Sequence, residues 1–334
     1  MPIQKVLIPP LANASLEREL RARLRHVSDP SGPLEPLERL AVQLGLIQNR
    51  VDPHFSNARL IIFASDHGLV VDSVAGTETR STAATVECLV TEQLPLASLA
   101  RLQGLSLMVV DSGIAEAVES HEHVHARKIA HGTRNPRHGK AMSIEQVHAA
   151  IRAGIELGES LDGNAVACAG IGVGSAESAA LVLSALSKVP VPEFLDALPA
   201  MPQGHFEHRV LVLESARQRH VELTDPIELL AALGGFDTAM MVGLMLSAAA
   251  RCFVIIPDGL PACAALLVAS AVAPAVVEYC VHTRSNHHRG LNRALSLFDA
   301  SVGVSVDMDA IDGTGATLVW PLISAAASLL SAPR

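Results

Sequence analysis

Aromatic side chains are scarce in this 334-residue chain, where they make up 3% of the residues, with one Trp and one Tyr. Proteins that bind single-stranded nucleic acid stack bases on such rings, so this shortage argues against that class of partner. An excess of positive charge is also missing, because the formal net charge is −9. A nucleic-acid backbone calls for a basic surface. The sequence therefore predicts no nucleic-acid partner.

Paired cysteines and long uninterrupted apolar runs are also lacking. The five Cys residues are scattered, odd in number and without CxxC spacing, as in cytoplasmic proteins whose core thiols stay reduced. The amino end has no apolar stretch of the signal-peptide kind. Residues 260–281 are apolar, but Pro261, Pro274 and Glu278 interrupt them, which favours a buried helix pair over a membrane span. We expect a cytoplasmic protein with no membrane partner.

The chain does have the material for a large aliphatic core, since 49% of its residues are apolar and 18% are charged. Strand-like and helix-like segments alternate along it. The predicted strands are residues 60–64, 105–110, 165–169, 253–256 and 302–307, and the predicted helices are residues 14–27, 34–48, 82–103, 143–157, 175–186, 226–233 and 238–250. Ser143 and Gln146 form a capping box at one of these helices.

This alternation is typical of βαβ units and predicts a Rossmann-like α/β fold, a mostly parallel sheet with helices on both faces. Residues 55–315 are expected to form the large α/β domain. Residues 1–54 with residues 316–334 are expected to form a small helical lobe, because both chain ends have a helical pattern.

Polar and glycine-rich turns follow the predicted strands, and ligands of parallel sheets bind at that edge. Gly170-Ile171-Gly172-Val173-Gly174-Ser175 lies between a strand and a helix, where free N–H groups suit a phosphate. It lacks the Lys of a P-loop, and no acidic residue stands where a dinucleotide-binding fold clamps ribose. A packing turn is the alternative reading.

Two further turns carry alternatives of the same kind. Gly234-Gly235-Phe236-Asp237 joins two helices; it is either a pair of helix caps, with Asp237 or Thr238 as the N-cap, or a place of close ligand approach. Asp66-His67-Gly68 ends a strand and is either a base or anion site or a structural pair.

Histidine and basic residues form two more clusters. His121, His123 and His125 alternate and would share one face of a strand, but the chain has 15 His in all and no Cys or carboxylate spacing completes a metal site. We therefore predict no metal. Lys128, Arg134, Asn135, Arg137 and Lys140 surround Gly132-Thr133 and form either an anion site or a solvated loop.

Several of these elements, in this order, resemble the nicotinate-nucleotide:dimethylbenzimidazole phosphoribosyltransferases, which make the lower-ligand nucleotide of cobalamin. The resemblance runs from about residue 30 to the carboxyl end. Its carriers are Pro30-Ser31-Gly32-Pro33 with Gln48, Phe63-Ala64-Ser65-Asp66-His67-Gly68, Val109-Val110-Asp111-Ser112-Gly113, Lys128-Ile129 with Gly132-Thr133-Arg134-Asn135 and Ala141-Met142, Gly234-Gly235-Phe236-Asp237, Asp258-Gly259 and Asp312-Gly313-Thr314-Gly315-Ala316.

The chain also departs from the family pattern. Asp312 stands where the family has a Glu as general base, and the family loop Gly-Glu-Met-Gly-Ile-Gly-Asn-Thr-Thr is replaced by residues 167–175. In the family, a Ser and a later Thr-x-Gln help to hold the acceptor base. The matching positions in this chain are Ala75, Thr82 and Ala84. Residues 92–95 and 282–288 differ from the family as well.

The resemblance implies phosphoribosyl transfer from nicotinate mononucleotide to an aromatic, benzimidazole-like base, giving an α-glycosidic nucleotide 5′-phosphate. It implies no cofactor and a homodimer. Asp312 is the implied base, and Gly313, Thr314 and Gly315 support its turn. The implied phosphate- and ribose-binding residues are Gly170, Gly172, Gly174, Ser175, Gly234, Gly235 and Phe236, and the implied acceptor pocket is Asp66, His67, Gly68, Ala75, Thr82 and Ala84.

Two functions of other classes stay open at this point. The lost loop Glu and the shortened base favour a non-catalytic nucleotide-binding paralogue, or a partner subunit of an active transferase. The glycine loop alone favours a dinucleotide dehydrogenase, against which the missing ribose-binding acid argues.

Overall fold

The computed structural model describes residues 6–25, 34–74, 80–196, 204–284, 289–298 and 310–331. Four features of the sequence lie outside these ranges: the Pro30-Ser31-Gly32-Pro33 segment, Ala75, residues 285–288 and the strand predicted at residues 302–307.

A five-stranded parallel sheet forms the centre of the molecule, in the order β3-β2-β1-β4-β5. The strands are β1 (Arg59–Ser65), β2 (Ser106–Gly113), β3 (Val124–Ala126), β4 (Ala165–Ile171) and β5 (Val254–Pro257). The middle strand β1 pairs on one side with β2, with Ile62 opposite Val109, and on the other with β4, with Ile62 opposite Ala169. Because β1, β4 and β5 are buried almost throughout, they read as apolar runs rather than as alternating strands. The predicted fold class is confirmed.

Helices cover both faces of this sheet. Their bounds are α1 (Ala14–Leu24), α2 (Glu35–Ile47), α3 (Thr82–Val90), α4 (Pro95–Leu102), α5 (Ile144–Ser160), α6 (Ser175–Ser187), α7 (His205–Arg219), α8 (Pro226–Leu233), α9 (Phe236–Ala250), α10 (Leu260–Val272), α11 (Arg289–Ser296) and α12 (Thr314–Ser331). Short 3₁₀ turns lie at Gly68–Asp72, Val191–Phe194 and Pro274–Tyr279.

Helices α5 and α9 pack closely, and two glycines permit it. A Cβ added at Gly154 would lie 2.0 Å from the Met240 carbonyl oxygen, and one added at Gly243 would lie 2.0 Å from the Ile151 carbonyl oxygen. The backbones therefore touch directly at both positions. The capping box predicted at Ser143 and Gln146 begins α5, as expected.

Four predictions of secondary structure were wrong in detail. The helix predicted over residues 82–103 is two helices, α3 and α4, because Pro95 lacks an N–H and starts a new helix. Residues 260–281 form one helix and a 3₁₀ turn rather than a helix pair, with Pro274 beginning the turn. His121 and His123 precede β3, so only His125 lies on that strand. Helix α7 was not predicted, because its charged residues give it no clear apolar stripe.

The two chain ends meet in space. Helix α2 packs against both α1 and α12, and α12 also packs against α4 of the large α/β region; the Phe55 and Trp320 rings lie 4.8 Å apart. We propose the division into a large domain and a small helical lobe from these contacts. Within the described ranges, α12 is the one helix long and apolar enough to cross a membrane, but 56% of it is buried inside the protein, as in a core helix.

Candidate active site

A cavity of about 300 Å³ opens at the carboxyl ends of the parallel strands. It brings together the glycine loop, which we define as residues 170–175, and the turn of Asp312, although the two are distant in the sequence. The lining residues are Arg80, Thr82, Thr85, Gly170, Ile171, Gly172, Val173, Ser175, Ala176, Pro261, Ala310, Ile311 and Asp312.

A second Asp-Gly turn, Asp258-Gly259, supports the turn of Asp312. Asp258 is fully buried, and its Oδ2 accepts hydrogen bonds from the backbone N–H groups of Gly313 at 2.8 Å and Ala316 at 3.1 Å. It therefore caps the start of α12, where a carboxylate is favourable. A Cβ added at Gly259, where φ is +88°, would lie 2.2 Å from Asp312 Oδ2. Only glycine leaves room there for the Asp312 carboxyl group.

The residues after Asp312 shape its turn. Gly313 has φ of +101°, a left-handed conformation that favours glycine. The Thr314 hydroxyl donates to the Ile311 carbonyl oxygen at 2.7 Å. The Gly315 carbonyl oxygen accepts from the Thr283 hydroxyl at 3.2 Å.

Both carboxyl groups at this turn titrate above their usual range. Burial, and then the charge of Asp258, raise the pKa of Asp312 well above its usual value. Burial raises the pKa of Asp258 to about 6, against the backbone N–H groups of Ala316 and Gly313 that favour its charged form. Two carboxyl groups that share a desolvated place lose their protons in coupled steps. A carboxyl group with a raised pKa is a stronger proton acceptor, once ionised, than an exposed aspartate.

The glycine loop folds tightly against the end of β1. Gly172 has φ of +146°, and a Cβ added there would lie 1.7 Å from the Ser65 carbonyl oxygen. Gly174, with φ of +86°, precedes Ser175 as the N-cap of α6 and offers no side chain for capping. The first turn of α6 thus faces the cavity at Ala176 with N–H groups that have no partner inside the helix. This geometry suits an anionic group.

Thr82 connects the glycine loop with the Asp66-His67-Gly68 turn. Its hydroxyl donates to Asp66 Oδ1 and accepts from the Val173 N–H at 3.0 Å. Asp66 Oδ2 accepts from the Ala115 N–H at 2.7 Å. The implied acceptor residues Asp66 and Thr82 therefore lie beside the loop, with Thr82 in the cavity wall.

His67 is not among the residues that line the cavity, and it is buried, with 2% of its surface exposed. Its Nε2 lies 3.4 Å from Asp237 Oδ2, and that oxygen accepts from the Ser175 hydroxyl at 2.7 Å. Burial acts to lower the pKa of His67, but the charge and hydrogen bond of Asp237, together with the charges of Asp66 and Glu177, outweigh burial and the pKa is raised. Burial likewise acts to raise the pKa of Asp237, which the His67 charge and the Ser175 hydroxyl lower. The two side chains form a buried ion pair.

The Gly234-Gly235-Phe236 turn lies behind the cavity wall. Gly234 is the C-cap of α8, which matches the cap reading. The predicted N-cap was wrong, since Gly235 is the N-cap of α9 and Asp237 turns to His67 and Ser175. A Cβ added at Gly235 would lie 2.2 Å from the His67 ring, and Phe236 is buried.

Two other implied acceptor residues do not line the cavity that holds Asp312. Gly68 donates its N–H to the Thr133 hydroxyl at 3.1 Å, and a Cβ added there would meet the Arg134 backbone at 2.4 Å. Ala84 lines a second cavity, of about 380 Å³, between α3 and residues 116–121.

The basic cluster is largely engaged within the protein. Lys128 lies 3.2 Å from Asp111, and Arg137 lies 2.8 Å from Asp72. Asn135 also donates to Asp72, at 2.6 Å. Within the described ranges, no group of three or more His, Cys, Asp or Glu residues is arranged to hold a metal ion.

Arg80, Pro261 and Asp258 were missed as candidate site residues. Arg80 stands just before α3, and no local pattern distinguishes it from other surface arginines. Asp258-Gly259 did carry a signal, since it repeats the Asp-Gly pattern of Asp312-Gly313 and directly follows β5. Pro261 lies at the start of α10 and contributes only an apolar part of the cavity wall.

Comparison with known proteins gives a consistent result. A family model described as phosphoribosyltransferase matches residues 8–333. The nicotinate-nucleotide–dimethylbenzimidazole phosphoribosyltransferase of Cupriavidus taiwanensis is 35% identical over 327 residues, which cover 97% of this chain and 94% of that protein. The protein of the same name from Janthinobacterium sp. (strain Marseille) is 32% identical over 95% of this chain and 93% of its own length.

A solved structure is similar over almost the whole chain. It is the structure of nicotinate-nucleotide–dimethylbenzimidazole phosphoribosyltransferase from Thermus thermophilus, with a TM-score of 0.88 and 24% identity, covering 96% of this chain and 97% of that one. At that identity the likeness shows the fold.

Proposed function

This chain belongs to the nicotinate-nucleotide–dimethylbenzimidazole phosphoribosyltransferase family, and we propose that it transfers the phosphoribosyl group of nicotinate mononucleotide to an aromatic, benzimidazole-like base. The product is an α-glycosidic nucleotide 5′-phosphate for the lower ligand of a cobamide. One observation carries the proposal for this site: Asp312 and the glycine loop line the same cavity. Asp312, the proton acceptor, and the start of α6, which suits an anion, thus lie on two walls of the same cavity.

In this reaction an acceptor ring nitrogen attacks C1′ of the nucleotide. The new N–C1′ bond forms as the bond from C1′ to the nicotinate nitrogen breaks, and that electron pair leaves with nicotinate. Asp312 takes the N–H proton that the acceptor ring loses when its other nitrogen becomes bonded to C1′. The raised pKa of Asp312 makes it a stronger base than an exposed aspartate. Positioning supplies most of the rate, and the base adds roughly 10²–10⁴-fold.

The 5′-phosphate is assigned to the glycine loop and the first turn of α6. Gly170, Gly172 and Ser175 line the cavity there, and the N-terminal end of a helix favours a negative group. Arg80 is the one cationic side chain among the described lining residues. We assign it to the negative charge of the same substrate.

The acceptor is assigned to the side of the cavity formed by Thr82 and Thr85 of α3. Ala84 lies on a different face of that helix, in the wall of the second cavity. The Gln of the family pattern is thus replaced by a side chain that offers no hydrogen bond. The acceptor specificity is therefore best examined with a panel of bases of different polarity.

Incubation of the purified protein with nicotinate mononucleotide and a panel of benzimidazoles, purines and phenols tests the reaction. We expect nicotinate release that depends on the acceptor. Absence of release with every acceptor would contradict the proposal.

A non-catalytic nucleotide-binding role is the second candidate. It is favoured by Cys168, which stands at the Glu of the family loop. Burial, and then the charge of Asp258, raise the pKa of Cys168 to about 12, so the thiol cannot replace a carboxylate. Calorimetry that shows nicotinate mononucleotide binding without turnover would support this candidate, and turnover would exclude it.

We also propose that the protein is a cytoplasmic homodimer. The family resemblance supports the dimer, and the unpaired cysteines support the compartment. Light scattering coupled to gel filtration measures the mass; a monomer at micromolar concentration would contradict the first proposal.

A further inference from the structure

Three segments that are distant in the sequence meet at one buried point behind the glycine loop. They are the Asp-His-Gly turn after β1, the Gly-Gly-Phe-Asp turn before α9 and the start of α6. The side chains that meet are those of His67, Asp237 and Ser175, each at most 4% exposed.

Asp237 lies between His67 and the first residue of α6 and contacts both. Asp237 accepts from the Ser175 hydroxyl at 2.7 Å, and Ser175 is the first residue of α6. His67 lies on the other side of the carboxylate, with Nε2 3.4 Å from Asp237 Oδ2. The backbone N–H of His67 also donates to the Val173 carbonyl oxygen at 3.2 Å. One residue thus contacts both the glycine loop and the carboxylate beneath it.

The charge of Asp237 is unfavourable for the function assigned to this helix start. A buried carboxylate beside the first turn of α6 repels an approaching phosphate, and the low dielectric of the interior strengthens that repulsion. Two other carboxylates act on His67 from farther away, and each has further partners. Glu177 pairs with Arg209 at 2.6 Å, and Asp66 accepts from Thr82 and the Ala115 N–H.

We propose that His67 is a positioning residue that neutralises Asp237 and keeps it bound to Ser175, so that the start of α6 accepts the phosphate of the nucleotide. This inference rests on the proposed function, since it takes the phosphate site at α6 as given. It also explains Gly235: a Cβ there would lie 2.2 Å from His67 Cε1 and 2.5 Å from Asp237 Oδ1. Gly235 makes room for the ion pair rather than for ribose, whereas Gly234 packs against Leu230.

Equilibrium titration with two ligands tests the inference. Nicotinate mononucleotide carries the phosphate, and nicotinate riboside is the same molecule without it. His67→Gln leaves Asp237 charged and unpaired, so we expect its Kd for the mononucleotide to rise at least about 10-fold, the size of one charge-assisted contact. The Kd for the riboside is expected to change by less than about 2-fold, because no phosphate meets the exposed charge.

The double variant His67→Gln/Asp237→Asn makes the test specific. Removing both charges restores neutrality, so we expect most of the lost affinity for the mononucleotide to return. Asp237→Asn alone is expected to bind within about 3-fold of the wild type, since Asn still accepts from Ser175 and burial then keeps His67 uncharged. Asp111→Asn is the matched control, a buried carboxylate paired with Lys128 at 3.2 Å and outside the cavity lining; it should leave both Kd values unchanged.

Equal losses for both ligands in His67→Gln would overturn the inference, as would a double variant no better than His67→Gln. If His67→Gln does not fold, Asp237→Asn decides: a marked loss of mononucleotide affinity in that variant contradicts charge neutralisation. A wild type that binds both ligands but releases no nicotinate would reject the proposed reaction and leave this test intact.

Discussion

The carboxylate of Asp258 accepts a hydrogen bond of 2.8 Å from the backbone N–H of Gly313. This bond joins two Asp-Gly turns that are far apart in the sequence. The buried Asp258 turn supports the turn whose Asp312 faces the cavity. The same contact places a second negative charge near Asp312. Asp258 therefore both orients the proposed base and, after burial, contributes to its raised pKa.

Asp312→Asn is expected to lower kcat by roughly 10²–10⁴-fold, because an amide cannot accept the acceptor's proton. The Kd for nicotinate mononucleotide should change little, since the phosphate site lies on another wall. Steady-state kinetics and calorimetry measure the two quantities. Asp312→Glu, which keeps the carboxyl group, is the control and should retain activity. An Asp312→Asn variant with wild-type kcat would show that the base is elsewhere.

The pH profile follows from the same pair of carboxyl groups. Asp312 accepts a proton only when ionised, so kcat should fall as pH drops through its raised pKa. Asp258→Asn removes the like charge, and the acid limb of the kcat profile should then move to lower pH. Asp111→Asn should leave the limb in place. An unchanged limb in Asp258→Asn would mean that burial alone sets the pKa of Asp312.

The stability of Asp258→Asn against pH provides a second measurement. Asp258 has a folded pKa of about 6, above its ordinary value of 3.8. The native state therefore holds the proton more strongly than the unfolded chain, and this contribution is lost as pH rises from about 4 through 6. The wild-type free energy of unfolding should therefore fall over this pH range, and the fall should be smaller in Asp258→Asn.

Gly172→Ala is expected to lower the free energy of unfolding by more than about 3 kcal/mol, because its Cβ would overlap the Ser65 carbonyl oxygen. Gly104→Ala is the matched control, with a positive φ of +69° and nothing within 4 Å of the added Cβ; its cost should be about 1 kcal/mol. Urea denaturation compares them. Equal costs would show that the loop moves freely to admit a side chain.

Thr82→Val should cost about 1–3 kcal/mol of stability, because the Val173 N–H and the Asp66 carboxylate both lose a partner. It should also raise KM for nicotinate mononucleotide by loosening the glycine loop. Thr85→Val is the control, since Thr85 lines the same cavity but its hydroxyl donates to the Ser81 carbonyl oxygen within its own helix start. If both variants raise KM equally, the bridge through Thr82 does not matter for the loop.

Local patterns predicted much of the architecture. The capping box of α5, the C-cap at Gly234 and the strand preceding the glycine loop each depend on residues within one short segment. Pro95 itself signals a break, but the apolar periodicity on both sides of it made α3 and α4 look like a single helix.

Residues with long-range partners were harder to interpret. Asp237 has the sequence position of an N-cap, yet its side chain is directed to His67 and Ser175. Arg137 and Lys128 resemble an anion site, yet each has a carboxylate within 3.2 Å. Neither Asp72 nor Asp111 is a sequence neighbour of the cation that it binds.

The sequence by itself determined the parallel α/β fold and the edge of the sheet at which Asp312 and the glycine loop would meet, because hydrophobic periodicity and turn residues act over short stretches of chain. Only the tertiary structure decided which side chains face the cavity and which lie behind it. It placed Asp258 under Asp312 and His67 against Asp237, since ion pairs and desolvation depend on distances of a few ångströms between segments far apart in the chain.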